Sequence, residues 1–133
     1  MKVLENVFQT VRFNKKESLM KVCWLEWPQC DVALRAELIR RSDVIRENSP
    51  ELMLVECRGG KYRWAELTRK WNARDNWPRW EKAGMRKLAF VKRPDGYGDK
   101  EFDVAYRGRL EFSVFENQED ALSWLREGAS SEG

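Results

Sequence analysis

The stretch RGGKYRWAELTRKWNARDNWPRWEKAGMRKLAFVK, residues 58–92, decides the fold. Trp64, Leu67, Trp71 and Arg74 recur at three- and four-residue spacing, which places both indoles and Leu67 on one face of a helix. Glu66, Arg69, Lys70 and Asn72 fill the opposite, solvated face. Pro78 has no backbone donor and biases Trp77 away from helical angles, so the helix is expected to end or kink near Asn76 and restart at Pro78. Gly84 then supplies a left-handed stop. Leu88-Ala89-Phe90-Val91, flanked by Arg86, Lys87, Lys92 and Arg93, is an apolar run too short for a helix and reads as a buried strand. Leu52-Met53-Leu54-Val55 is its counterpart before the helix. Two buried strands joined by a helical crossover predict a parallel pair.

Toward the amino terminus, Val7, Gln9, Val11 and Phe13 alternate with Phe8, Thr10 and Arg12 in one strand from Val3 to Phe13. The polar Asn14 to Ser18 segment makes a hairpin into a second strand, Leu19 to Trp27, which Pro28 ends. Asp31 is expected to cap a helix reaching about Asn48, with Leu34, Leu38 and Ile45 inward. Arg35, Glu37, Arg40, Arg41, Asp43, Arg46 and Glu47 read as its salt-bridged surface rather than a nucleic-acid stripe. Asn48-Ser49-Pro50 breaks it.

Toward the carboxyl terminus, Arg93 to Gly98 is a turn-rich loop. Asp99 to Arg107 has helical spacing at Phe102, Ala105 and Tyr106 but glycines on both flanks, and stays ambiguous. Leu110 to Phe115 alternates as a last strand. Asn117 caps a final helix with Ala121, Trp124 and Leu125 inward, stopped by Gly128. The whole is an α/β domain over residues 1–128, with a polar tail at 129–133. Its expected architecture is an antiparallel hairpin followed by β-α units, a mixed five-stranded sheet with helices packed on it.

At this point a family resemblance enters. An apolar strand ending in Val55-Glu56, a helix carrying Trp77-Pro78-Arg79, the run from Ala83 to Val91, and Phe115-Glu116 before the helix containing Ala121, Trp124 and Leu125 together resemble the SpoIIAA-like (STAS-type) group. The resemblance follows element order over nearly the whole chain and rests on packing motifs. It implies a regulatory or interaction module, since the group includes anti-sigma-factor antagonists and cytoplasmic domains of anion transporters. Antagonists of that group carry a phosphorylatable Ser or Thr after the third strand, whereas here the turn reads Cys57-Arg58-Gly59-Gly60-Lys61-Tyr62.

The chain has 133 residues, enough for one core without staples, and its 42% apolar and 35% charged content fits a globular protein. Twenty-five basic against 22 acidic residues is too small and too even an excess to imply a nucleic-acid partner. No apolar run approaches the roughly 18–20 residues of a membrane span, and Met1-Lys2-Val3 opens no secretory leader, so a cytoplasmic protein is expected. Cys23, Cys30 and Cys57 lack metal or redox spacing and read as buried, inert thiols. There is no histidine, which removes Ser-His and Cys-His nucleophile pairs, His-ligated zinc and the commonest neutral-pH base. No metal or cofactor is expected.

Candidate binding residues are Arg58, Gly59, Gly60, Lys61, Tyr62, Lys92 and Arg93. The Gly-Gly turn follows a central strand and feeds a helix amino terminus whose amides can hold an anion, and Lys92 and Arg93 end the neighbouring strand. The same glycines equally suit a strand-to-helix turn that needs their backbone freedom. Among seven tryptophans, Trp64, Trp71 and Trp124 read as core. Trp77 and Trp80 read either as packed under loops or as an aromatic contact surface, and Trp27 is equally open.

Three functions follow as expectations. The first is a non-enzymatic SpoIIAA-like module binding a protein partner or a small anion at the 58–62 turn, with the last strand, if it forms a sheet edge, serving as a homodimer seam. The second is a carrier of an apolar small molecule or lipid at Trp77 and Trp80. The third is an enzyme using Glu56 or Cys57. Placing Trp71 in the core implies that Trp71→Ala costs about 3–5 kcal/mol on denaturant unfolding, and a loss under about 1 kcal/mol would put it on the surface.

Overall fold

The structure, a computed structural model, describes residues 1–26, 28–57, 65–93 and 106–127. The 58–62 turn, Trp27, Trp64, the 94–98 loop, the ambiguous segment up to residue 105, the Gly128 stop and the 129–133 tail lie outside the described residues.

One mixed sheet carries its strands in chain order: β1 (Lys2–Glu5), β2 (Gln9–Asn14), β3 (Leu19–Trp24), β4 (Leu52–Cys57), β5 (Lys87–Val91) and β6 (Glu111–Phe115). The first three are antiparallel neighbours, and β3 through β6 run parallel. Six strands replace the expected five because the Val3 to Phe13 stretch is two strands. Asn6 causes the division: its Oδ1 accepts from the Phe8 and Gln9 amides, each at 2.9 Å, and this Asx turn reverses the chain and leaves Val7 exposed. The apolar runs of β4 and β5 pair in parallel as their composition predicts, with Val55 opposite Phe90.

Alternation along β4 and β5 divides the core. Met53, Val55, Cys57, Leu88 and Phe90 enter one apolar cluster, while Leu52, Leu54, Ala89 and Val91 enter another on the opposite face. The first cluster lies under α1 (Asp31–Asn48) and under the crossover made by α2 (Glu66–Trp71), a π-helical segment (Asn72–Asn76) and α3 (Trp77–Lys82). The second lies under α4 (Gln118–Arg126), which Asn117 caps by accepting from the Asp120 amide at 2.8 Å. Lys87, on the same face of β5 as Ala89 and Val91, reaches the far end of α4, donating to the Trp124 and Glu127 carbonyls at 2.8 and 3.3 Å. A cation there complements the negative end of the helix.

Helix α1 departs from its sequence reading in two ways. Cys30 occupies the N-cap position without a side-chain cap, and Asp31 falls in the first turn. Glu37 and Arg41 are buried rather than exposed. Arg41, 2% exposed, lies 4.6 Å over the Trp24 ring and donates to Gln9 Oε1 at 3.2 Å. Gln9 donates to the Glu37 backbone carbonyl at 3.0 Å, and Asn6 donates to Glu37 Oε1 at 2.7 Å. Buried charges are held by such partners or not at all.

The crossover does not break at Asn76. Trp77 N–H reaches back five residues to the Asn72 carbonyl, a π-type bond whose wider turn brings Pro78 into the opening turn of α3, where its missing donor matters little. Its stop is the one anticipated: Gly84 has φ +120, Gly84 N–H donates to the Glu81 carbonyl and Met85 N–H to that of Trp80, both at 3.0 Å.

The phase of the crossover differs from the indole-based reading. Its inner face carries Thr68, Asn72, Ala73 and Asn76, and Leu67 is 74% exposed. The inward polar groups are bonded: Arg35 Nε donates to Thr68 Oγ1 at 3.2 Å, Asn76 Nδ2 to Asn72 Oδ1 at 2.7 Å, and Ser42 Oγ to Asn76 Oδ1 at 3.2 Å. Satisfied in this way, polar side chains face the core without the penalty that isolated ones would carry. Trp71 is consequently half-buried, with the Arg35 guanidinium 5.0 Å over its ring, and Trp124 is half-buried as well. Trp77 and Trp80 are deeply buried, each 2% exposed, as is Trp24 on β3 at 0%. The cost expected for a core tryptophan therefore moves to Trp77: Trp77→Ala should lose about 3–5 kcal/mol and Trp71→Ala only about 1–2 kcal/mol in urea unfolding. The reverse order would overturn this assignment of the inner face.

Candidate functional site

Four parallel strands end along one edge of the sheet, at Trp24, Cys57, Val91 and Phe115. The chain leaving β3 and β4 passes onto the first face as α1 and α2. The connection from β5 also reaches that face at its described end, where Tyr106 packs edge-on to Trp77 with ring centroids 5.3 Å apart and Leu110 is buried in the same cluster. After β6 the chain turns to the opposite face as α4. In open sheets the carboxyl ends of parallel strands are where ligands tend to sit.

Lys92 and Arg93, two of the residues singled out from sequence, stand at this edge directly after β5. Lys92 N–H donates to the Phe115 carbonyl at 3.0 Å, and its Nζ pairs with Glu116 Oε1 at 3.2 Å. Arg58, Gly59, Gly60, Lys61 and Tyr62 lie outside the described residues, although β4, which precedes them, ends beside β5 at this edge. Glu56 is half-buried one residue from the end of β4, with Cys23 and Val91 as its neighbours across the sheet. Of the cysteines only Cys57 is buried; Cys23 is half-buried and Cys30 exposed.

Large apolar side chains project at the same edge. Leu25 follows β3, Val32 sits in the first turn of α1 and is 81% exposed, and Leu67 sits in the first turn of α2. Sequence reasoning placed Leu67 in the core and passed over Val32. A signal was available for Val32, which together with Ile39 falls off the Leu34, Leu38, Ile45 face of α1. None was available for Leu67, since nothing local marks the Thr68 side of that helix as inner.

Trp77 and Trp80 are packed, not displayed. The space between them, Arg41 and Asn72 amounts to about 10 Å³, enough for one water at most. No ligand-sized chamber opens between the two indoles on this inner side. No helix is long and apolar enough to cross a membrane among the described residues.

One carboxylate holds the described end of the β5–β6 connection, residues 106–110. Glu81 Oε1 accepts from the Tyr106 hydroxyl at 2.7 Å and from the Arg109 and Leu110 amides at 2.7 and 2.9 Å. The Tyr106 hydroxyl bond, then the Leu110 amide, holds the Glu81 pKa below the ordinary carboxylate value, while burial followed by the Glu81 bond raises that of the Tyr106 phenol. A Cβ on Gly108 would collide with Tyr106 Oη and Glu81 Oε1, so this close approach needs glycine. A carboxylate whose folded-state value is depressed stabilises the fold above its unfolded value and loses that contribution as pH falls through the folded one. The stability gap between wild type and Glu81→Gln should therefore be widest near neutrality and close as pH falls below about 4. Exchange of the Arg109 and Leu110 amides should rise in Glu81→Ala; unchanged exchange, or a gap that persists in acid, would show that Glu81 does not hold this segment.

Compared with protein-family models, curated proteins and solved structures, the chain matches none of them.

Proposed function

We propose that the chain is a non-enzymatic interaction module of the SpoIIAA-like kind, which binds a protein partner at the carboxyl edge of its parallel strands. The observation that carries this reading is the exposure of Val32 and Leu67, large apolar side chains in the first turns of the two helices that start at that edge. Neither helix gains stability from an apolar residue in water, and apolar side chains grouped at one edge suit a contact site. Lys92 and Arg93 add positive charge next to it and suit a partner segment that mixes apolar with acidic side chains. The element order of the chain, an antiparallel hairpin leading into parallel strand-helix units, supports the family reading. The alternative reading, a carrier of an apolar small molecule or lipid, is motivated by the abundance of aromatic residues, and it finds no chamber between Trp77 and Trp80 themselves.

Val32→Asp and Leu67→Asp test the reading cleanly. Each places a carboxylate in a first helical turn, where the helix dipole favours it, so stability should move by less than about 0.5 kcal/mol. Proteins retained from the host lysate by the wild type should be lost with the double variant and kept by Arg86→Ala, a substitution at the opposite edge. Retention unaffected by the double variant overturns the protein-partner reading. Phosphate or citrate shifting the amides of Lys92, Arg93 and Asn117 would instead point to a small anion as the ligand of this edge.

A further inference from the structure

We propose that the groove between the second half of α1 and α3 is a binding site for a small amphipathic carboxylate, an acid with an aromatic or acyl body. It lies away from the carboxyl edge and rests on separate observations.

The groove encloses about 350 Å³, within the range of small-ligand sites. Ile45, Trp80 and Ala83 line it, and Ile39 forms a wall that stays 48% exposed. Its polar floor groups satisfy one another. Trp80 Nε1 donates to Ser42 Oγ at 2.8 Å, Ser42 Oγ donates to Asn76 Oδ1 at 3.2 Å, and Asn76 donates onward to Asn72. An apolar body laid on this floor strands no donor and needs to offer none.

The rim carries the opposite chemistry. Asp43, its one acid, is engaged by Arg46 at 3.5 Å. Arg79 and Lys82, one turn apart on α3, form no salt bridge among the described residues. An apolar floor beneath a net positive rim is complementary to a molecule with a greasy body and a single anionic head. A bare oxyanion would leave the floor unused, and a neutral apolar compound would leave both cations unanswered.

The test is an NMR titration of the full chain with phenylbutyrate and with decanoate, followed at backbone amides and at the Trp80 indole N–H. Phenylbutanol and inorganic phosphate serve as controls. Both acids should shift the Trp80 indole and the Ile39, Ser42 and Ala83 amides saturably, with a Kd of about 1 mM or tighter. Arg79→Glu/Lys82→Glu should weaken binding by about tenfold or more, as should Ile39→Glu, all at exposed positions where folding is preserved. Phenylbutanol should bind about tenfold more weakly than its acid. The proposal is overturned if neither acid produces saturable shifts at these groups, if the charge-reversed variant binds as well as wild type, if phosphate alone reproduces the shifts, or if they centre on Lys92 and Arg93.

Discussion

Burial of β4 and β5 on both faces is the constraint from which the rest of the structure follows. Every residue of β5 is buried, as is every residue of β4 except Glu56. Their amides and carbonyls have no water to turn to and must be paired with neighbouring strands. The two strands run in the same direction, so the chain between them has to travel back along the sheet, and a helical crossover is the economical way to do it. With α1 and the α2–α3 crossover both on the first face, α4 alone among the described helices seals the second.

The helical layer is tied down by polar groups as much as by apolar ones. Gln9, Glu37 and Arg41 link the β1–β2 turn and β2 to α1, while Ser42, Asn72, Asn76 and Trp80 link α1 to the crossover. Such bonds are directional, and they hold one rotational setting of the helices where interchangeable apolar contacts would admit several. The π-helical turn belongs to the same arrangement. Its wider turn passes directly into the opening turn of α3, where Pro78 sits, with both Asn72 and Asn76 kept inward.

This phase of the helices decides what the surface offers. Turning Thr68, Asn72 and Asn76 inward turns Leu67 outward, and directing Leu34, Leu38, Glu37 and Arg41 toward the sheet sends Val32 and Ile39 away from it. The exposed apolar groups thus fall at two places on the helical layer, the first turns at the carboxyl edge and the groove beside α3. Both follow from the same packing, and their different surroundings suit different occupants: an open edge for a partner, and a floored, positively rimmed groove for a small molecule.

Local chemistry was enough to reveal the strands, the α/β class, the parallel β4–β5 pair, the Gly84 stop and the Asn117 cap, because each depends on apolar runs or on a single residue's backbone preference. The same rules missed the division at Asn6, where a side chain replaces the usual glycine or proline as the turn former. Lys92 and Arg93 were legible at the candidate site because they end an unmistakable strand. Val32 and Leu67 acquired meaning only when the helix phases were known. Periodicity assumes that apolar means inner, and it fails where an inner face is polar and satisfied by partners distant in sequence, as Thr68 is by Arg35 and Gln9 by Glu37 and Arg41. The sequence by itself therefore determined the α/β class and which strands lie deepest, though not the division of β1 from β2; the tertiary structure alone decided which side of each helix meets the solvent, because only there do those distant hydrogen-bonding groups come within reach of one another.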